Sequence, residues 1–248
     1  MQMRVVVRTH GGLGNQIFQL LYARLFAVRS GAALLETHDL RYPHAFDRSS
    51  ELSRHPAPHG IAKILSELRL PKIVTRFKVR RDAIKLLGTV YLDGYFQKVA
   101  DYASFPDEPI RHELLRLRRE LGISDMPTHD HGVHLRMGDF FKTEAAIAEH
   151  LDERLARVRT GAYIVTNEEA RLSTPGVRAA LDAANARILP TGDMSAEDVL
   201  RTLASFRTVD GNDSTLLFWA SVLSGMDCDF KTPELRELRG RFFQILGY

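Results

Sequence analysis

The sequence predicts an α/β protein built on parallel sheets, and three observations carry that expectation. Near the amino terminus the β-branched run Val5-Val6-Val7 leads into Thr9-His10-Gly11-Gly12-Leu13-Gly14, and a helical repeat follows. Beyond residue 130, short apolar runs alternate with amphipathic segments, the pattern of strands joined by crossover helices and covered on both faces. Between the two halves, Gly122 and then Ser124-Asp125-Met126-Pro127-Thr128 read as a linker, which places a boundary between domains 1–125 and 126–248.

Val5–Val7 fits a buried parallel strand. The helix after it spans about Asn15 to Arg29, with Ile17, Leu20, Leu21, Leu25 and Val28 at helical spacing. A strand, a glycine turn and a helix start in succession turn backbone N–H groups towards an anion. The glycines do not keep the G-x-G-x-x-G spacing, because Ile17 stands where the third would be, so the dinucleotide fingerprint is absent. A tight structural turn is the competing explanation. Ala33-Leu34-Leu35 predicts a second strand, 38–60 a polar loop bearing His and Pro, and Ile61–Leu70 a helix. Val90–Gln97 reads as a strand ending in a turn, whose Tyr95 and Phe96 belong either to the core or to a ligand. Pro106–Gly122 holds a charged helix with Ile110, Leu114, Leu117 and Leu121 as its apolar stripe.

In the second half the expected order is a strand through His134, a helix over 143–159, a strand at Tyr163–Val165 and a helix from Val177 to Ala184. A strand at Ile188-Leu189, a helix from Ala196 to Phe206 capped by Ser195, and a short strand at Thr208-Val209 come next. A helix over Ser214–Leu223 and a final strand near Asp229-Phe230 complete it.

Of 248 residues, 44% are hydrophobic and 26% charged, ordinary values for a globular chain. A formal net charge of +3 suits anionic small molecules or an anionic membrane surface and is too small to argue for nucleic acid. The single cysteine, Cys228, excludes an internal disulfide framework and fits a reducing compartment. The apolar run at the amino terminus is too short for a signal peptide, and none reaches the roughly 20 residues a bilayer span requires. The expected location is the cytoplasm, with loose attachment to the inner membrane face permitted by the charge.

Two stretches carry candidate chemistry. In Asp130–Asp139, strand alternation points His134 and Arg136 to one side and Val133 and Leu135 to the other. The planar fork of Arg136 matches phosphate or carboxylate oxygens, while Gly138 allows a sharp turn and Asp139 can cap or orient the next segment. A surface ion pair is the plainer alternative. In the second stretch, Asn212-Asp213-Ser214-Thr215 precede an apolar run, so they either cap a helix or hold a phosphate with its first free N–H groups. Asp213 would repel a pyrophosphate unless turned away. His129, Asp130, His131 and His134 are dense, yet alternation separates His131 from His134 and no zinc-type spacing appears, so no metal site is expected. There is no P-loop, no G-x-S-x-G elbow and no nucleophilic cysteine signature.

Four separated segments together resemble glycosyltransferase family 11, the GDP-fucose-dependent α-1,2-fucosyltransferases. The family's G-G-x-G-N-Q-x-F is matched by Gly11, Gly12, Gly14, Asn15, Gln16 and Phe18, and its G-Y-F-Q by Gly94-Tyr95-Phe96-Gln97. H-x-R-x-G-D is matched by His134, Arg136, Gly138 and Asp139, and the closing N-S-T-F-S-W-W more loosely by Asp213–Trp219. The resemblance implies a GT-B-like architecture, two Rossmann-like domains facing across a cleft, with the acceptor met from the first and the donor bound mainly by the second. It implies inverting, metal-independent transfer of fucose from GDP-fucose to a hydroxyl of a glycan or lipid-linked glycan, with no cofactor. Arg136 would hold the diphosphate, Ser214 and Thr215 the β-phosphate, and Gly12, Gly14, Asn15 and Gln16 would line the sugar and diphosphate region. Tyr95 and Gln97 join the substrate-binding set, and Asp139 and His134 are the candidate bases. The family's F-S-D-D near the nucleotide base is Val165-Thr166-Asn167-Glu168 here, so Glu168 must take the guanine edge or guanine preference weakens. The alternatives are another nucleotide sugar or a non-catalytic sugar-nucleotide or glycan-binding protein.

Overall fold

A computed structural model describes residues 3–38, 53–54, 85–86, 89–92, 94–124, 126–136, 143–156 and 158–248. The chain divides into two units, Met1–Arg116 with Gly240–Gly247, and Leu117–Arg239 with Tyr248.

The first unit is organised on strands β1 (Arg4–Thr9), β2 (Ala33–His38), β3 (Ser53–Arg54), β4 (Lys85–Leu86) and β5 (Thr89–Leu92), in the order β3-β2-β1-β5-β4. β1 is parallel to both β2 and β5, and only β4 runs antiparallel. The three consecutive valines of β1 are fully or nearly fully buried, as a central strand covered on both faces requires. Helix α1 (Leu13–Ser30) starts two residues earlier than its apolar spacing suggests and ends where Gly31 adopts φ +60°. Tyr22 of α1 stacks on Phe96 at 4.0 Å between ring centroids and meets Tyr102 and Phe105 edge-on. Burial pushes the Tyr22 and Tyr102 hydroxyls above their ordinary range. Short helix α2 (Val99–Tyr102) precedes α3 (Asp107–Glu120), whose stripe Ile110, Leu114 and Leu117 is buried as expected, with Leu121 buried directly after the helix ends. The loop expected over 38–60, apart from His38 and Ser53–Arg54, and the helix expected at Ile61–Leu70 lie outside the described residues.

The second unit alternates strand and helix. It comprises β6 (His129–Leu135), α4 (Glu144–Leu155), β7 (Tyr163–Thr166), a 3-10 turn (Glu169–Ser173), α5 (Pro175–Ala183), β8 (Arg187–Pro190), α6 (Ala196–Ala204), β9 (Phe206–Gly211) and α7 (Thr215–Ser224). The strands are parallel, in the order β8-β7-β6-β9. Val133, Leu135, Leu151, Ile164, Leu172 and Leu181 form a core cluster. A last helix, α8 (Pro233–Leu246), buries Leu235, Leu238 and Phe242. No described helix is long and apolar enough to cross a membrane.

Two expectations are corrected. The helix expected to reach Phe206 stops at Ala204, and Phe206 instead opens β9, its buried ring lying over Gly132, where an added Cβ would come within 3.1 Å of it. The strand expected near Asp229-Phe230 does not form; only the isolated bridge Thr208–Asp227 is present. Cys228 and Phe230 are buried while Asp227 and Asp229 are exposed, which mimics strand alternation. The carbonyls there are instead taken by arginines of α8, Arg239 donating to Met226 O (3.1 Å) and Arg236 to Phe230 O (2.7 Å). Burial pushes the Cys228 thiol up to about 12.

Candidate functional site

In open parallel sheets, ligands bind beyond the carboxyl ends of the strands at the point where strand order reverses. In the first sheet that point lies at β1, flanked by β2 on one side and β5 on the other. In the second it lies at β6, flanked by β7 and β9. The residues singled out from sequence follow these strands. His10–Gln16 follow β1, Gly94–Gln97 follow β5, Arg136 follows β6, Asn167-Glu168 follow β7, and Asn212–Thr215 follow β9.

The first sheet end is tied together by side-chain amides. Gln16 Nε2 donates to Gly11 O (2.8 Å), the His10 backbone N–H donates to Gln19 Oε1 (2.9 Å), and Gln97 Nε2 donates to Asn15 Oδ1 (2.9 Å). That last bond joins the glycine turn to the G-Y-F-Q segment. Gly11 has φ +80°, and a Cβ there would lie 2.8 Å from Asn15 Nδ2, so both conformation and space require glycine. Gly12 is the exposed residue before α1, and Gly14 is buried in its first turn. Thr9 donates its hydroxyl to the buried carboxylate of Glu36 (2.6 Å). Glu36 and Gln19 escape sequence reasoning because register and helix packing, not spacing, bring them here. Phe96 has φ +50°, uncommon for a non-glycine residue. Its ring is held on Tyr22, and its carbonyl accepts from the Tyr102 hydroxyl (2.9 Å). Tyr95 beside it is exposed and lies edge-on to His10 at 4.9 Å.

The second end carries charge and helix caps. His134 is buried opposite Gly211, where a Cβ would meet Leu217 at 2.5 Å, so β9 and α7 meet too closely for a side chain. Arg136 is half-buried directly after β6, and its carbonyl accepts from Asn212 Nδ2 (3.3 Å), which couples the ends of β6 and β9. Ser214 is the buried N-cap of α7, its hydroxyl accepting from the Leu217 N–H (3.4 Å), and Thr215 begins the helix half-buried. Asp213 does turn away. Its carboxylate accepts from the Lys231 N–H (2.8 Å) and from both the N–H and the hydroxyl of Thr232, just before α8. It therefore stabilises the start of α8 rather than of α7, and the backbone N–H groups opening α7 keep their anion-attracting character. Asn167 is exposed, whereas the Glu168 carboxylate is engaged by Arg171. Gly138 and Asp139 lie outside the described residues. Among the described residues, no group of three or more His, Cys, Asp or Glu could hold a metal ion.

The α/β fold, with its parallel sheets and covering helices, matches GT-B glycosyltransferase structures. A mutant FUT1 of Arabidopsis thaliana in complex with GDP superposes with a TM-score of 0.55 at 12% identity, covering 93% of this chain and 70% of that one. The fucosyltransferase NodZ from Bradyrhizobium aligns at 17% identity and a TM-score of 0.45, covering 90% and 93% of the two chains. The E. coli heptosyltransferase WaaC with ADP-2-deoxy-2-fluoro heptose aligns at 13% identity and 0.45, covering 99% of each. No protein-family profile and no curated protein sequence matches the chain.

Proposed function

We propose that this chain is an inverting, metal-independent glycosyltransferase that moves fucose from GDP-fucose to a hydroxyl of a glycan or lipid-linked glycan, in the manner of the α-1,2-fucosyltransferases. The observation that carries this reading is that Arg136 directly after β6 and the start of α7 after β9 follow adjacent strands at the reversal point of the second sheet, where Asn212 Nδ2 donates to the Arg136 backbone carbonyl. A cation and the N–H groups of a helix start at one sheet end suit a diphosphate.

In this reading the C-terminal unit binds the donor. The Arg136 guanidinium stabilises the negative charge that grows on the departing GDP, a preorganised electrostatic role. Thr215 and the first N–H groups of α7 hold the β-phosphate, and Ser214 fixes that helix start. Gly12, Gly14, Asn15 and Gln16 serve the transferred sugar and the acceptor, and the enzyme works in the cytoplasm. GDP in the Arabidopsis protein of similar fold supports the nucleotide class. A second reading, transfer from a different nucleotide sugar, is favoured by the engagement of Glu168 with Arg171, which leaves Asn167 with a single carbonyl acceptor for the base.

A thermal-shift panel of GDP, UDP, ADP and CMP without added metal tests this. A nucleotide at 100 times its dissociation constant stabilises the folded form by about 2.7 kcal/mol. GDP is expected to raise Tm most, and Arg136→Ala to abolish most of that rise. A larger rise with another nucleotide moves the assignment to the second reading, and no rise with any of them overturns both.

A further inference from the structure

We propose that Tyr95 and His10 form the acceptor subsite, Tyr95 packing on the apolar face of a pyranose ring and His10 accepting the proton of the attacking hydroxyl. This rests on the transferase reading above and names the residues that reading leaves open.

Tyr95 is 49% exposed on a turn whose other aromatic, Phe96, is buried. The arrangement is enforced. Phe96 is held at φ +50° by its stack on Tyr22 and by the hydrogen bond from Tyr102, which keeps the inner ring in the core and its neighbour at the surface. The ring face of a tyrosine is electron-rich and the C–H bonds on one face of a pyranose are weakly positive, so an exposed, rigidly mounted ring suits a sugar.

His10 meets Tyr95 edge-on at 4.9 Å with the rings inclined by 69°. Its backbone is pinned by Gln19, and Thr9 before it is pinned by Glu36. At this end of β1 the Glu36 carboxylate is buried and accepts from Thr9, and His10 is half-buried beside Tyr95. In the transfer step the acceptor oxygen forms a bond to the anomeric carbon. The bond from that carbon to the diphosphate oxygen breaks, and its electron pair leaves with GDP. The hydroxyl proton passes to an imidazole nitrogen of His10, and the imidazolium then releases it to water.

The test uses an array of hexose- and deoxyhexose-containing oligosaccharides, scored for binding and for transfer from GDP-fucose, beside the nucleotide thermal shift. Tyr95→Ala is expected to raise acceptor KM about tenfold or more while the GDP shift stays intact. His10→Ala, and His10→Asn should the alanine variant fold poorly, are expected to lower kcat by roughly 10²- to 10⁴-fold with the GDP shift intact. Added imidazole should restore part of the His10→Ala loss, which a merely structural histidine would not allow. The inference is overturned if a GDP-stabilised wild type binds no glycan, if both variants stay within threefold of wild type, or if imidazole rescues nothing. Loss of every nucleotide shift in the wild type instead overturns the transferase reading itself.

Discussion

The two sheet ends use opposite means to reach a similar layout. At the first, the glycine turn is fixed by neutral amides, Gln16 on Gly11, Gln19 on His10 and Gln97 on Asn15. At the second, Arg136 follows β6 with its carbonyl held by Asn212, and the Asp213 carboxylate before α7 is drawn off to Thr232. Both ends open a helix, α1 and α7, whose first N–H groups create a field; the amides add shape at the first, and Arg136 adds a cation at the second.

This contrast is sharpest under Arg136→Ala. Turnover is expected to fall by roughly 10²- to 10³-fold, the usual loss when one preorganised electrostatic group is removed, measured as kcat with GDP-fucose at saturating acceptor. Asp213→Ala should act on stability instead, because it leaves the Lys231 and Thr232 donors without their acceptor. A cost of about 2 kcal/mol, read from a denaturant midpoint, would show that the carboxylate is structural; a gain in nucleotide affinity without loss of stability would contradict its role. At the first end, a double-mutant cycle of Asn15→Ala and Gln97→Ala should give a coupling of about 1 kcal/mol. Zero coupling would mean that the two motifs are adjacent but independent.

The smallest effect concerns His131, which shares a hydrogen bond with Thr208 (2.8 Å) and faces Asp210. Burial lowers its affinity for a proton, against the opposing pull of Asp210. The unfolded chain therefore takes up that proton at higher pH than the native one does. Stability is complete above the unfolded value near 6.5 and declines as pH falls from there towards the native value. Melting curves between pH 7.5 and 5 should show this slope, and His131→Gln should flatten it.

Most of the strand and helix order can be read from the sequence because the buried strands are short β-branched or apolar runs and the helices carry clean stripes, as in Ile110, Leu114, Leu117 and Leu121. Phe206 cannot be assigned that way, since an aromatic continuing a helical stripe and one opening a buried strand look alike; its place over Gly132 decides. Around Asp229-Phe230, strand-like alternation competes with a helix start at Thr232-Pro233, and the helix wins because Asp213 and the arginines of α8 supply the hydrogen bonds that a lone strand would lack. The site residues are legible as motifs, but their couplings are not. Glu36 reaches Thr9 through the β1–β2 register, and Asp213 reaches Thr232 through a loop reversal. Neither leaves a local signature.

Cys228 gives the molecule a built-in clock. A thiol 4% exposed and pushed up to about 12 presents almost no thiolate at neutral pH, and it is the only sulfhydryl in the chain. Its alkylation by a maleimide must wait for local opening around the buried thiol, so the labelling rate reports that opening. A bound nucleotide that steadies the C-terminal unit would slow the labelling, turning one inert side chain into a label-based gauge of occupancy.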